Sequence, residues 1–339
     1  MEEKRASLSW WKIVFLILLA VGTVHILKNH KPETYLHNEG YIFGTQYHIK
    51  YKGTTDLHKE IRETLNEVDG SLSLFNKHSI MRAINENRDT TVNTMFTEVF
   101  NLAQEISHNT HGSFDITVAP LVNAWGFGHT NTTPADSGRI EELRKYVGYS
   151  TVSLINGKVS KKHPQTMLDC GAIAKGYGCD AVAHTLERNG IKDYMIEIGG
   201  EVATKGLNDK GTAWNISISK PTENNTGTHN GHQTVISITN KAMATSGNYR
   251  NIRIIDGKKY AHTIDPRTGY PVQHSLLSAT VIADRCATAD AYATAFMVSG
   301  LEKSLEICKE QGIDAYFIYA NEKGEIKTIS TEGFNKYMR

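Results

Sequence analysis

The chain has 339 residues, with 37 Lys and Arg set against 36 Asp and Glu for a net charge of +1. Hydrophobic residues make up 40% and charged residues 22%, ordinary globular usage that excludes wholesale disorder. The neutral balance leaves no basic footprint for nucleic acid, and a mean hydropathy of −0.38 excludes a polytopic membrane protein.

Residues 1–9 are polar and carry Lys4 and Arg5; Trp10 to Leu27 is then almost wholly apolar, broken by Lys12, Gly22, Thr23 and His25. About 18 such residues can span a bilayer with little tilt, and Lys4, Arg5 and Lys12 would stay on the cytoplasmic side. A cleaved signal peptide is the competing reading. No A-x-A site follows the run, Ala20-Val21-Gly22 being only a fair substitute, and no cysteine occurs before Cys170. The sequence therefore predicts a single-span anchor and linker over residues 1–34, and one domain over 35–339 outside the cytoplasm. The four cysteines, Cys170, Cys179, Cys286 and Cys308, form no C-x-x-C pair and read as small buried hydrophobes.

Alternation of Tyr41, Phe43, Thr45, Tyr47 and Ile49 predicts a strand. Leu57, Ile61, Leu65 and Val68 fall at helical spacing, as do Phe96, Val99, Phe100, Ala103 and Ile106, with Asn93 or Thr94 as cap. Asn156-Gly157 and Asp256-Gly257 are hairpin signals. Strand-like runs cover 194–198, 213–219, 234–239, 251–256, 277–283 and 314–320. Helical runs cover about 172–189, 287–298 and 301–311, with Gly190, Gly300 and Gly312 where helix ends favour glycine. Residues 222–232 read as an exposed polar loop. Hairpins are frequent and strands do not alternate one for one with helices. The prediction is an α+β fold: mixed or antiparallel sheets with packed helices in two intimate lobes, preceded by the N-terminal apolar helix. Neither a Rossmann G-x-G-x-x-G nor a P-loop is present.

Four constellations could carry chemistry. Asp290 and Thr294, at i and i+4, share one helix face and offer hard oxygen ligands suited to Mg²⁺ or Ca²⁺; a capping Asp and a back-bonded Thr are the bland alternative. In Asp169-Cys170-Gly171-Ala172-Ile173-Ala174-Lys175-Gly176 an acidic residue precedes a glycine-rich helix start and a lysine follows. That pattern suits a phosphate at a helix N-terminus, or equally tight helix packing. His262-Thr263-Ile264-Asp265-Pro266-Arg267-Thr268-Gly269 is a turn displaying a titratable His beside Asp and Arg. It reads as a site for a general base or as a structural turn. Trp125 and Phe127, between glycines, could wall a flat ring or anchor the core.

Taken in order, these segments resemble the ApbE family of FAD:protein FMN transferases. The resemblance rests on Phe43-Gly44-Thr45, Ser73-Leu74-Phe75 followed by Ser79, residues 112–115, 123–128 and 169–176, Gly199-Gly200, Ser246-Gly247, and residues 262–269 and 290–294. It implies a bacterial, exported, Mg²⁺-dependent transferase. Such an enzyme moves FMN from FAD to a Thr or Ser of an acceptor protein, a subunit of a membrane redox complex, and releases AMP. It implies a metal at Ala172, Asp290 and Thr294, and FAD against Phe43, Phe75, Ala124, Trp125, Gly126, Asp169, Lys175 and Ile264. It also implies catalysis by His262, with Asp265 beside it. The expected location is the inner membrane with the catalytic domain on the periplasmic side. Two positions depart from the family's habit, Phe43 for Met and Phe75 for Tyr. Two other readings stand beside the transferase: a Mg²⁺-dependent FAD pyrophosphatase, with water in place of the acceptor, and a non-catalytic flavin-binding protein.

Overall fold

The computed structural model describes residues 10–29, 34–128, 136–221, 232–248, 252–255 and 258–339; within the first helix, side chains are described for residues 10–21 and Thr23. That helix, α1 (Trp10–Asn29), precedes a hairpin of β1 (Thr34–Ile42) and β2 (Thr45–Gly53). Helices α2 (His58–Leu72), α3 (Ile80–Asn85), α4 (Thr94–Asn109), α5 (Ala119–Ala124) and α6 (Ser137–Arg144) follow, then strands β3 (Val152–Ile155) and β4 (Lys158–Lys161). Helix α7 (Ala174–Arg188) leads into β5 (Tyr194–Ile198), β6 (Glu201–Lys205), β7 (Trp214–Ser219), β8 (His232–Ile238), β9 (Lys241–Gly247), β10 (Ile252–Ile255), β11 (Lys258–Ala261) and β12 (Leu276–Ala283). Helices α8 (Cys286–Ser299) and α9 (Leu301–Gln311) and strands β13 (Asp314–Ala320) and β14 (Ile326–Ser330) follow, and a short 3-10 helix (Glu332–Tyr337) comes last.

Eight strands form one sheet in the order β1-β2-β5-β6-β9-β12-β13-β14, antiparallel at every junction. Successive residues of β12 and β13 serve opposite faces, as a two-residue side-chain period requires. Val281 and Phe317 enter the core beneath α4, α8 and α9, whereas Ile282 and Ile318 pack with Trp214, Ile236 and Phe334 on the other side. At the other end of the sheet β2 and β5 pack Tyr47, Ile49 and Ile196 against Ile61 and Leu65 of α2 and Val182 of α7. The two lobes expected from the sequence share this continuous sheet.

The α+β class is observed. Most long periodic segments fall where patterning puts them, and Asn93 caps α4 by accepting the Phe96 N–H at 2.9 Å. The run from Tyr41 to Ile49 is not one strand. Phe43 (φ 52°) and Gly44 (φ 76°) form a two-residue turn inside it, both left-handed, as a tight hairpin demands. Asp256-Gly257 and most of the 222–232 loop lie outside the described residues. In α1, Trp10, Trp11, Phe15 and the run from Leu16 to Leu19 are exposed. Among the described residues no helix is long and apolar enough to cross a membrane, so the expected span is not supported by them. All four cysteines are free and buried, as expected.

Candidate active site

The site is built where α7 and α8 touch. At the start of α7, Asp169 Oδ1 accepts the Gly171 N–H at 2.7 Å and turns the chain into the helix. Gly176 sits in its first turn, where a backbone N–H has no helical acceptor. That N–H donates instead to Asp290 Oδ2 on α8, at 3.0 Å. The approach is possible because position 176 has no side chain: a Cβ there would lie 2.4 Å from the Cys286 carbonyl oxygen. Gly178 is likewise pressed on Phe43, a Cβ meeting its ring at 2.7 Å. Asp180 closes the junction from the other side. Its two carboxylate oxygens accept the Cys286 and Ala287 N–H groups at 2.7 and 3.0 Å, capping α8. The glycines of this segment are explained by helix packing. Gly176→Ala is expected to lower stability by about 1–3 kcal/mol through overpacking. A urea melt checks this, and an unchanged midpoint would show that α8 can retreat at no cost.

With α8 fixed, Asp290 and Thr294 face one cavity of about 730 Å³, together with Ala172 and Lys175 from the other helix. The volume suits a ligand of cofactor size. Asp290 is buried, 4% exposed. Lys175 Nζ lies 3.9 Å from Asp290 Oδ1 and 3.2 Å from Glu201 Oε1 at the head of β6. Burial opposes the lysine's charge, but Asp290 and Glu201 outweigh it and raise the pKa above the ordinary lysine value. Burial pushes the Glu201 carboxyl up, Lys175 beside it opposes that rise and favours the ionised form, and Asp290 adds to it.

The opposite wall comes from two loops. Gly126, Phe127 and Gly128 follow α5, and His262, Thr263, Ile264 and Pro266 follow β11. The His262 ring meets Phe127 edge-on, with centroids 6.4 Å apart. The second loop is braced at several points. Thr263 O accepts the Val272 N–H at 3.0 Å, and Asp265 N–H donates to Tyr270 O at 2.9 Å. Trp125 Nε1 donates to Gly269 O at 2.8 Å, and its ring packs on Tyr260 and Tyr270.

A sequence profile described as the ApbE family matches residues 43–317. The chain belongs to the ApbE family. Among its relatives, the FAD:protein FMN transferase of Haemophilus influenzae is 35% identical over 347 residues, covering 96% of this chain and 98% of that one. That of Vibrio cholerae is 34% identical over 334 residues, covering 95% and 98%. The flavin transferase ApbE from Vibrio cholerae, a solved structure, superimposes with a TM-score of 0.81 at 34% identity, over 90% of this chain and all of that one. The apo Pseudomonas stutzeri flavinyl transferase ApbE gives 0.79 at 29% identity, over 91% and 98%.

Of the site residues that the ApbE resemblance implied, the cavity brings together Gly126, Asp169, Ala172, Lys175, His262, Ile264, Asp290 and Thr294. Five stand apart from its lining. Asp265 accepts from Arg267 Nε and NH2, both at 2.9 Å, and braces its own turn. Trp125 is 8% exposed and anchors that turn from behind, the second of the two readings its sequence allows. Ala124 packs beside it in the same small core. Phe43 lies between the helices and the sheet, against both large cores. Phe75 is 79% exposed on the loop after α2. Glu201 was missed in the sequence, although the Gly199-Gly200 pair before it was noticed. Ser113 and Asp115 line the same space. Asp115 Oδ1 accepts the Thr117 N–H, and Oδ2 the Tyr149 N–H, each at 2.7 Å.

Proposed function

We infer that the chain is an FAD:protein FMN transferase. The observation that carries this reading is the convergence of Asp290, Thr294, Lys175 and His262 on one cavity in an ApbE-family fold. The relatives reported above carry that activity in their names.

The donor set fits a magnesium ion. Among the described residues no group of three or more His, Cys, Asp or Glu could hold a metal, which argues against a zinc-type centre. The Asp290 carboxylate, the Thr294 hydroxyl and the Ala172 carbonyl are all oxygens, the kind Mg²⁺ takes while keeping several waters. Such an ion would neutralise charge on the FAD pyrophosphate. Lys175 adds a second positive charge on the same side of the cavity. The acceptor Thr or Ser hydroxyl attacks the FMN-side phosphorus, the bond to the bridging oxygen breaks, and AMP leaves. His262 takes the hydroxyl proton. The chain otherwise supplies position and electrostatics, which suffice for most of the barrier in phosphoryl-type transfer. Protein incubated with FAD, Mg²⁺ and an acceptor, then run on a denaturing gel, tests the reading. A flavin-fluorescent acceptor band is the expected result; FMN appearing only free in solution would make the enzyme a pyrophosphatase instead.

The acceptor is proposed to be a subunit of a membrane redox complex, and the catalytic domain to lie on the periplasmic side of the inner membrane, held by the N-terminal segment. Exposed Phe15, Leu16, Ile17, Leu18 and Leu19 on α1 support an apolar medium around that helix. N-terminal sequencing of protein from native membranes is expected to find the segment attached; a mature chain starting near residue 23 would mark it as a cleaved signal.

A further inference from the structure

The cavity floor holds an ion cluster of which the reaction above uses only part. One ammonium, that of Lys175, sits between two buried carboxylates whose side chains are each 5% exposed. Among the described residues no other cation lies within 4.0 Å of either. The nearer carboxylate belongs to Glu201, and its second oxygen, Oε2, is buried with no hydrogen-bond partner. Among the described residues Lys175 is therefore the one counter-charge within 4.0 Å of Glu201. Glu201 is delivered to this place by backbone: Gly199 (φ 63°) and Gly200 (φ 105°) make the left-handed turn between β5 and β6.

We propose that Glu201 is a positioning residue for metal binding: it holds the Lys175 ammonium off Asp290 and so leaves that carboxylate open to a divalent cation. The proposal rests on reading Ala172, Asp290 and Thr294 as the metal site. A lysine ammonium is a compact charge on a flexible stem, free to follow the strongest partner in reach. Attraction falls with distance, so the 3.2 Å contact to Glu201 outcompetes the 3.9 Å contact to Asp290. Without the Glu201 charge, Asp290 is, among the described residues, the only carboxylate left within 4.0 Å of Lys175. The ammonium then pairs with the metal's only charged ligand and competes with the ion for it.

Mn²⁺ binding, followed by the electron paramagnetic resonance of the free ion and without FAD present, tests this in the full-length protein. Glu201→Gln is expected to weaken Mn²⁺ binding about 10–100-fold, the usual cost of disturbing a partner behind a metal ligand. Adding Lys175→Met to Glu201→Gln removes the competitor and is expected to return the affinity close to that of the wild type. The double variant removes both charges of the buried pair and tolerates folding better than a half-broken pair. Should Glu201→Gln fail to fold, the double variant alone decides, since one that binds no Mn²⁺ overturns the proposal. Unchanged affinity in Glu201→Gln overturns it too. So does weak binding in both variants, which would make Glu201 itself a ligand. Failure of the wild type to bind Mn²⁺ would instead remove the metal reading underneath.

Discussion

Asp290→Asn is expected to lower FMN transfer by about a thousandfold or more, which corresponds to roughly 4 kcal/mol of lost charge stabilisation. Its carboxylate is the only charged group in the proposed metal ligand set. The amide oxygen can still accept the Gly176 N–H that Asp290 Oδ2 accepts at 3.0 Å, so the α7–α8 junction keeps its hydrogen bond. Lys175 retains its closer partner Glu201, at 3.2 Å. The variant should therefore melt within a few degrees of the wild type while its dependence on Mg²⁺ disappears along with its activity. Turnover measured across a Mg²⁺ titration, beside a thermal melt, checks both halves. Full Mg²⁺-dependent activity in Asp290→Asn would rule out this aspartate as the metal ligand.

His262→Ala is expected to cut turnover about 10²–10⁴-fold, the usual worth of a positioned general base. FAD affinity should change little. The loop that carries His262 is held by the Thr263–Val272 and Asp265–Tyr270 backbone bonds and by the Trp125 indole on Gly269, none of which uses the imidazole. Lys175 and Asp290 lie on the two helices and are untouched. Single-turnover transfer, set beside an FAD titration, separates the two effects. A wild-type rate in the variant would pass the role of base to another group; Asp265 is a poor successor, since its carboxylate is bound to Arg267 through two hydrogen bonds.

The parts of the site that could be read in the sequence are those whose chemistry is local. Asp290 and Thr294 share a helix face by spacing alone, and Asp169, Ala172 and Lys175 lie within two turns of chain. The parts that could not be read depend on backbone conformation or on partners far away in sequence. Trp125 between glycines reads equally as a ring wall or a core anchor, and what decides is its indole N–H, satisfied 144 residues away at Gly269. Phe43 continues an alternating run, and only the left-handed backbone at positions 43 and 44 reveals a turn. Glu201 opens a five-residue strand with too few alternations to announce itself. Its importance arises from the β5–β6 turn meeting Lys175 of α7, a contact no window of sequence contains. Long periodic helices and strands were legible for the converse reason: burying one face is enough to specify them.

The strand order also governs when the site can exist. Neighbours in the large sheet are often distant in sequence, as where β2 pairs β5, β6 pairs β9 and β9 pairs β12. Cavity residues run from Ser113 to Val298. Loop closures of this length precede the contacts that reward them, which slows folding and leaves no early fragment able to hold a ligand. Ligand binding and global stability are then linked. A ligand present at about a hundred times its dissociation constant adds about 2.7 kcal/mol to the stability of the entire chain. Bound flavin is therefore expected to raise the resistance of the whole chain to proteases, and not of the loops around the cavity alone.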